Sequence, residues 1–174
     1  MFLLTILSLS GCAVLEMAQT WQLDRLRILA TQSEPAEAQP GETVSMRSLT
    51  FIPDSQELEA VIWFGCLPTA STSFGCTVDP SLMENLENPP EDPAEQQALF
   101  QELQESGFLG VEPAFPPQWT IPENALDNLS EEDKVEGLSA IINITAIPKD
   151  SQTQEEIELA FRRMPISLNP EPNQ

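Results

Sequence analysis

Three cysteines are the most reactive side chains in this 174-residue chain, and their surroundings differ. Cys12 follows an uncharged apolar run, Met1 to Ser10, and sits directly behind Leu9-Ser10-Gly11. Cys66 and Cys76 flank Leu67 to Gly75, a turn-rich stretch able to bring them together. If Cys12 is engaged elsewhere, they remain as a pair for a disulfide, which contributes about 2.5–3 kcal/mol for so short a loop. The alternatives are two free thiols, or a metal site that two thiols leave short of four ligands. There is no His, so the commonest general base, metal ligand and partner of a nucleophilic Ser or Cys is missing. Ser71, Thr72 and Ser73 therefore have no such base to activate them and read as loop residues.

Carboxylates are abundant: 28 Asp and Glu against 7 Lys and Arg, for a formal net charge of −21. Glu131, Glu132 and Asp133 adjoin one another, but in so acidic a chain adjacency reads first as a solvated turn. A Ca2+ site drawn from Asp127, Glu131 and Asp133 would need about six to eight oxygen ligands. The Asp-x-Asp-x-Asp-Gly pattern of a calcium loop is absent. Asn128-Leu129-Ser130 and Asn143-Ile144-Thr145 match the glycosylation sequon, the second inside an expected strand. The charge speaks against nucleic acid, whose phosphates need basic partners. It also predicts repulsion from anionic lipid surfaces.

The stretch ending Leu9-Ser10-Gly11-Cys12 resembles the signal of bacterial lipoproteins. The apolar run is shorter than the roughly 20 residues that span a bilayer and fits the core of a signal peptide. The resemblance implies a signal over residues 1–11, cleavage before Cys12, fatty acyl chains such as palmitate on Cys12, and a tether over 12–22. Two or more chains anchor a protein stably where one does not. The expected location is the cell envelope, at the outer membrane or cell surface rather than the inner membrane. No Lys or Arg precedes Arg25, so the basic start of a signal peptide is expected upstream of Met1.

The elements that would position these groups are mostly strands. Leu23 to Thr31 alternates, with Leu26, Ile28 and Ala30 on one face. Glu34-Pro35 and Pro40-Gly41 punctuate the chain before a second strand at Thr43 to Phe51. Pro53-Asp54-Ser55 turns into a third, Leu58 to Cys66. From Asp79 to Pro117 the texture becomes acidic and proline-rich, framing one helix from Ala94 to Ser106. Asp92 is its expected N-cap, Pro93 its first residue and Gly107 its end. Leu99, Phe100 and Leu103 form its apolar stripe, with Phe108, Leu109, Val111 and Phe115 packing it down. Gln118 to Ile121 is a short strand, Ser130 and Asp133 bracket one helical turn, and Leu138 to Pro148 alternates cleanly. Lys149 to Gln154 is a polar hairpin loop. Glu155 to Leu168 alternates with Ile157, Leu159 and Phe161 in phase, then shifts to Met164, Ile166 and Leu168, which predicts a β-bulge near Arg162 and Arg163. Core candidates are Leu26, Ile28, Val44, Leu49, Ile62, Trp63, Phe64, Trp119, Ile142, Ile144, Leu159 and Phe161. Trp63 and Trp119 read as core aromatics rather than the walls of a ligand groove, because both sit in strand patterns.

Many short strands, with one helix confined to an insertion, predict a mainly β protein, a β-sandwich. Residues 23–66 and 129–168 resemble an immunoglobulin-like domain of bacterial surface lipoproteins. The likeness rests on Glu34-Pro35, on Pro40-Gly41-Glu42-Thr43-Val44, on Trp63 in the third strand and on the turn Leu129 to Asp133 before Gly137 and Leu138. It departs from that pattern in having no Tyr and in placing Cys66 and Cys76 close together rather than across the sheets. The resemblance implies one domain over 23–168 with an insertion at about 79–117. Residues 169–174 then form a linker or frayed end, where another domain could follow. It implies a non-enzymatic, lipid-anchored module that is structural or binds envelope proteins, with Leu99, Phe100 and Leu103 as the candidate contact residues and no cofactor beyond the lipid. The alternative is a lipoprotein that captures a small ligand or Ca2+. Differential scanning calorimetry separates the metal version: an acidic surface turn predicts no change in Tm on adding millimolar Ca2+, and a saturable rise would establish the site.

Overall fold

The computed structural model describes residues 23–68, 76, 90, 92–149 and 156–168. Seven strands form two antiparallel sheets: β1 (Arg27–Glu34), β2 (Thr43–Phe51), β3 (Leu58–Cys66), β4 (Phe108–Glu112), β5 (Gln118–Thr120), β6 (Leu138–Pro148) and β7 (Glu158–Ile166). One sheet has the order β1-β2-β5 and the other β4-β3-β6-β7. Successive side chains of a strand point to opposite faces, so each sheet contributes every second residue to the interlayer space. From β6 these are Ala140, Ile142, Ile144 and Ala146, all fully buried. Val61 and Trp63 of β3, Met164 and Ile166 of β7, and Val44 and Met46 of β2 complete the packed layer. Each such side chain withdrawn from water contributes about 1.5–3 kcal/mol. Gly65 makes room in this layer: a Cβ there would meet Leu109, Trp119 and Ile142 at 2.8, 3.2 and 3.3 Å.

Local chemistry accounts for the turns. Ala38 leaves the first sheet and forms a parallel bridge to Ile166 of β7. Gly41, at φ +82, then turns the chain into β2, and its N–H donates to Ile121 at 2.8 Å. The helix α1 (Pro93–Glu105) starts where Asp92 accepts from the Ala94 N–H at 2.7 Å and Pro93 needs no N–H partner. It ends at Gly107, φ +94, whose carbonyl accepts from the Gly65 N–H at 2.8 Å and so docks the helix end on β3. In the turn before α2 (Asp133–Glu136), the Ser130 hydroxyl donates to the Asp133 carboxylate at 2.6 Å and accepts from its N–H at 3.2 Å.

The structure corrects the expected strand phases in four strands. A bulge between Ile28 and Ala30 turns Ala30 outward, against its expected inward phase, and leaves Thr31 and Ser33 facing inward instead. Leu49 is 60% exposed rather than in the core, because the inward phase of β2 runs Val44, Met46, Ser48. There is no bulge at Arg162 and Arg163: β7 pairs with β6 in one unbroken register from Glu158 opposite Ala146 to Ile166 opposite Leu138. Its inward residues are therefore Ala160, Arg162, Met164 and Ile166, while Leu159 and Phe161, expected in the core, are 61% and 63% exposed. Ile62 also points to the outer face, where it is half-buried. Phe108 to Glu112, inside the expected insertion, is instead a strand of the four-stranded sheet. The expected signal, tether and C-terminal linker, the expected hairpin loop beyond Lys149, and Ser71 to Ser73, lie outside the described residues.

The unbroken register makes a clear prediction for urea denaturation. Met164→Ala should cost about 2–5 kcal/mol, whereas Phe161→Ser should cost less than about 1 kcal/mol. Equal costs would return Phe161 to the core.

Candidate functional site

The outer face of the four-stranded sheet carries several large apolar side chains among polar ones. The pairing registers set its side chains in rows across the strands. One row runs Val111, Ile62, Thr145, Leu159, and the next Phe108, Phe64, Asn143, Phe161. Beyond them Cys66, Ile141 and Arg163 adjoin on one side, and Ala60 and Ile147 on the other. An antiparallel sheet with one solvated face normally alternates apolar and polar residues. Here Ile62, Phe64, Ile141, Leu159 and Phe161 put large apolar residues on the outer face as well, beside Asn143, Thr145 and Arg163.

Cys76, in the excursion between β3 and β4, packs over one end of it. The Cys66–Cys76 disulfide holds Cys76 against β6, with Cα atoms 5.5 Å apart. The Asn143 amide donates to the Cys76 carbonyl at 3.4 Å. The Cys76 sulfur lies 3.4 Å from the Ile141 carbonyl, a contact without a proton because the thiol is oxidised. Phe64 and Phe108 meet edge to face with centroids 5.6 Å apart. Phe64 and Ile141 are buried, whereas Leu159 and Phe161 at the β7 edge stay uncovered. Asn143 sits between the two regimes, and its Oδ1 is buried without a partner among the described residues.

The helical stripe proposed for partner contact divides. Leu103 is buried within the fold and Leu99 half-buried, whereas Phe100 is 44% exposed beside Phe115, with ring centroids 6.4 Å apart. Trp63 is fully buried and Trp119 half-buried. The acidic turn is engaged locally: Glu131 pairs with Lys134 at 2.6 Å, and that hydrogen bond raises the lysine above its ordinary pKa. Among the described residues no group of three or more His, Cys, Asp or Glu could hold a metal ion. Cys12 lies outside the described residues.

Two polar contacts that the periodicity did not reveal close the flanks of the sandwich. Arg162 of β7 points inward and donates to the Thr31 carbonyl at 2.8 Å and the Ser33 hydroxyl at 2.7 Å on β1. Its burial pulls the guanidinium below the ordinary arginine value, which still leaves it charged. On the opposite flank the Glu112 carboxylate of β4 accepts from the Ser48 hydroxyl at 2.6 Å and the Trp63 indole at 3.2 Å. The Ser48 N–H lies 3.4 Å from its second oxygen. Both side chains are spent on neighbours of this chain, which makes them ties between sheets rather than reactive groups.

Two open depressions of about 300 and 550 Å3 lie over β1 and β2. They share Gln32 and Arg47, whose side chains bond at 2.9 and 2.6 Å. Neither is lined by Trp119 or α1 among the described residues. No protein-family model, no curated protein and no solved structure matches this chain.

The disulfide is the covalent tie that keeps Cys76 on the outer face. A Cys66→Ser, Cys76→Ser double variant should lose about 2–3 kcal/mol in urea unfolding and gain protease cleavage between Leu67 and Ser106. Unchanged stability and cleavage would show that the excursion holds its place without the bond.

Proposed function

We propose that this chain is a lipid-anchored protein of the cell envelope, whose immunoglobulin-like sandwich serves as a structural or protein-binding module rather than as an enzyme. The apolar outer face of β4-β3-β6-β7, uncovered at Leu159 and Phe161, is the observation that carries the binding role. Large exposed apolar patches mark interaction surfaces. Anchoring rests on Leu9-Ser10-Gly11-Cys12. Among the described residues no helix is long and apolar enough to cross a membrane, and a lipid on Cys12 would supply the attachment.

The strand topology supports the immunoglobulin-like reading. The first strand pairs with β2 in one sheet, and the chain then bridges in parallel to β7 of the other. The third strand carries a fully buried tryptophan, Trp63, at the centre of the core. Such sandwiches serve as rigid frames in cell-surface proteins, with binding carried by the surfaces they display. An outer membrane or cell-surface location with other envelope proteins as partners completes the reading.

Membrane fractionation with labelled palmitate tests the anchor. The wild-type chain should be labelled and sediment with membranes, and Cys12→Ser should be unlabelled and soluble. Retention of unlabelled Cys12→Ser in the membrane fraction would overturn the anchor.

A further inference from the structure

The two ends of the sandwich differ in what leaves them. Arg27 opposite Phe51, Leu58 opposite Pro148 and Ala146 opposite Glu158 bring the start of β1, the end of β2, the start of β3, the end of β6 and the start of β7 to one end. Leu23 to Leu26 leave the fold there: the Leu26 N–H donates to the Gln56 side chain, in the turn between β2 and β3, at 3.2 Å. At the other end Leu138 lies opposite Ile166, and Thr43 opposite Thr120. The turn at Gly41, beside Glu123, belongs to that end. So does α2, whose Lys134 carbonyl accepts from the Leu168 N–H at 3.2 Å. The 11 residues of β6 separate the two ends by about 36 Å at the usual rise of a strand.

We propose that the Arg27 end of the sandwich rests against lipid headgroups and that the end carrying α2 points away from them. The inference names a lipid surface as the partner of the Arg27 end, and it rests on the anchor at Cys12 read above. Residues 13–22 link Cys12 to Leu23 and reach at most about 40 Å when fully extended. With the Arg27 end down, Leu23 starts beside the membrane and the link keeps its conformational freedom. With the domain inverted, Leu23 would stand about 36 Å above the lipid, one strand length away, and the link would be drawn almost straight. Straightening fixes backbone torsions at an entropic cost for every residue, which disfavours the inverted arrangement.

The side chains at the two ends favour the same arrangement. Leu23 and Ile52 at the Arg27 end are 48% and 36% exposed. Apolar side chains at such a position gain by entering a lipid interface. Charges there are mixed: exposed Arg25 and Lys149 stand among Asp24, Asp54 and Glu57. The opposite end is the more acidic among the described residues. It carries Glu42, Glu123, Glu131, Glu132, Asp133 and Glu136, and its cation Lys134 is paired with Glu131 at 2.6 Å. An anionic lipid surface repels a chain of net charge −21. A domain held by covalent lipid lowers that repulsion by turning its more acidic end away. Screening confines the effect to about 8 Å at physiological salt, so the end nearest the lipid decides it.

Fluorescence quenching from the lipid surface tests the orientation. The full chain, purified from membranes, carries one probe on an introduced cysteine: Asp54→Cys at the Arg27 end, or Glu132→Cys beside α2. Both positions are exposed. The chain is reconstituted on vesicles of phosphatidylethanolamine and phosphatidylglycerol with a nitroxide on a fraction of the headgroups. Asp54→Cys should be quenched several-fold more than Glu132→Cys. Equal quenching, or stronger quenching of Glu132→Cys, overturns the orientation. Should either variant misfold, hydroxyl-radical footprinting of the wild-type chain decides: protection of Leu23 and Ile52 on vesicles supports the orientation, and unchanged labelling of both overturns it. Flotation with the vesicles scores the anchor separately. A chain that floats while both probes quench alike keeps the anchor and overturns the orientation, and a chain that does not float overturns both.

Discussion

A sandwich of three strands on four has two long flanks where the interlayer space would open to water, and one ionisable side chain bridges each. Arg162 crosses from β7 to the carbonyl of Thr31 and the hydroxyl of Ser33 on β1. Glu112 crosses from β4 to Ser48 on β2 while also accepting a hydrogen bond from the Trp63 indole N–H. A charge turned inward is costly unless hydrogen bonds replace its water. Both groups meet that condition with groups from the opposite sheet, so the relative position of the layers and the solvation of these charges depend on each other. The salt bridge from Arg27 to Glu158, at 3.4 Å, reinforces the β1–β7 flank. The main-chain bonds of Ala38 to β7 close its far end.

With its flanks closed, the four-stranded sheet still has an apolar outer face. The excursion from Cys66 to Phe108 answers part of that need. The disulfide fixes its near end, Gly107 fixes the helix end against Gly65, and Leu103 is buried in between. Leu159 and Phe161 of β7 remain exposed on the outer face, and the proposed binding role is assigned there.

Strand positions were legible in the residues because turn chemistry is local. Pro40-Gly41, Pro53-Asp54-Ser55, Asp92-Pro93 and Gly107 each act through their own backbone preferences, and the elements they bound appear where those preferences put them. The clean alternation of β6 was equally legible, since its inward residues are uniformly apolar. The Cys66–Cys76 bond followed from two thiols close together in the chain on either side of a turn-rich stretch. In β7 the same logic failed. Leu159 and Phe161 are larger and more apolar than Ala160 and Arg162, so hydrophobicity alone selects the wrong face. In β4, Phe108 to Val111 looked like packing for a helix because five residues carry too little periodicity to show a strand.

Which face of an apolar strand turns inward is decided by its partners. A register shift of one residue exchanges every side chain between faces, and the register of β7 is set by nine pairings with β6 and the parallel bridge of Ala38. The sequence by itself determined most of the elements, their turns and the cysteine pair, all from interactions between near neighbours in the chain. Only the tertiary structure decided that Arg162 points in and Phe161 out. The groups that satisfy the arginine, Thr31 and Ser33, lie about 130 residues away and are brought to it by the stacking of the sheets.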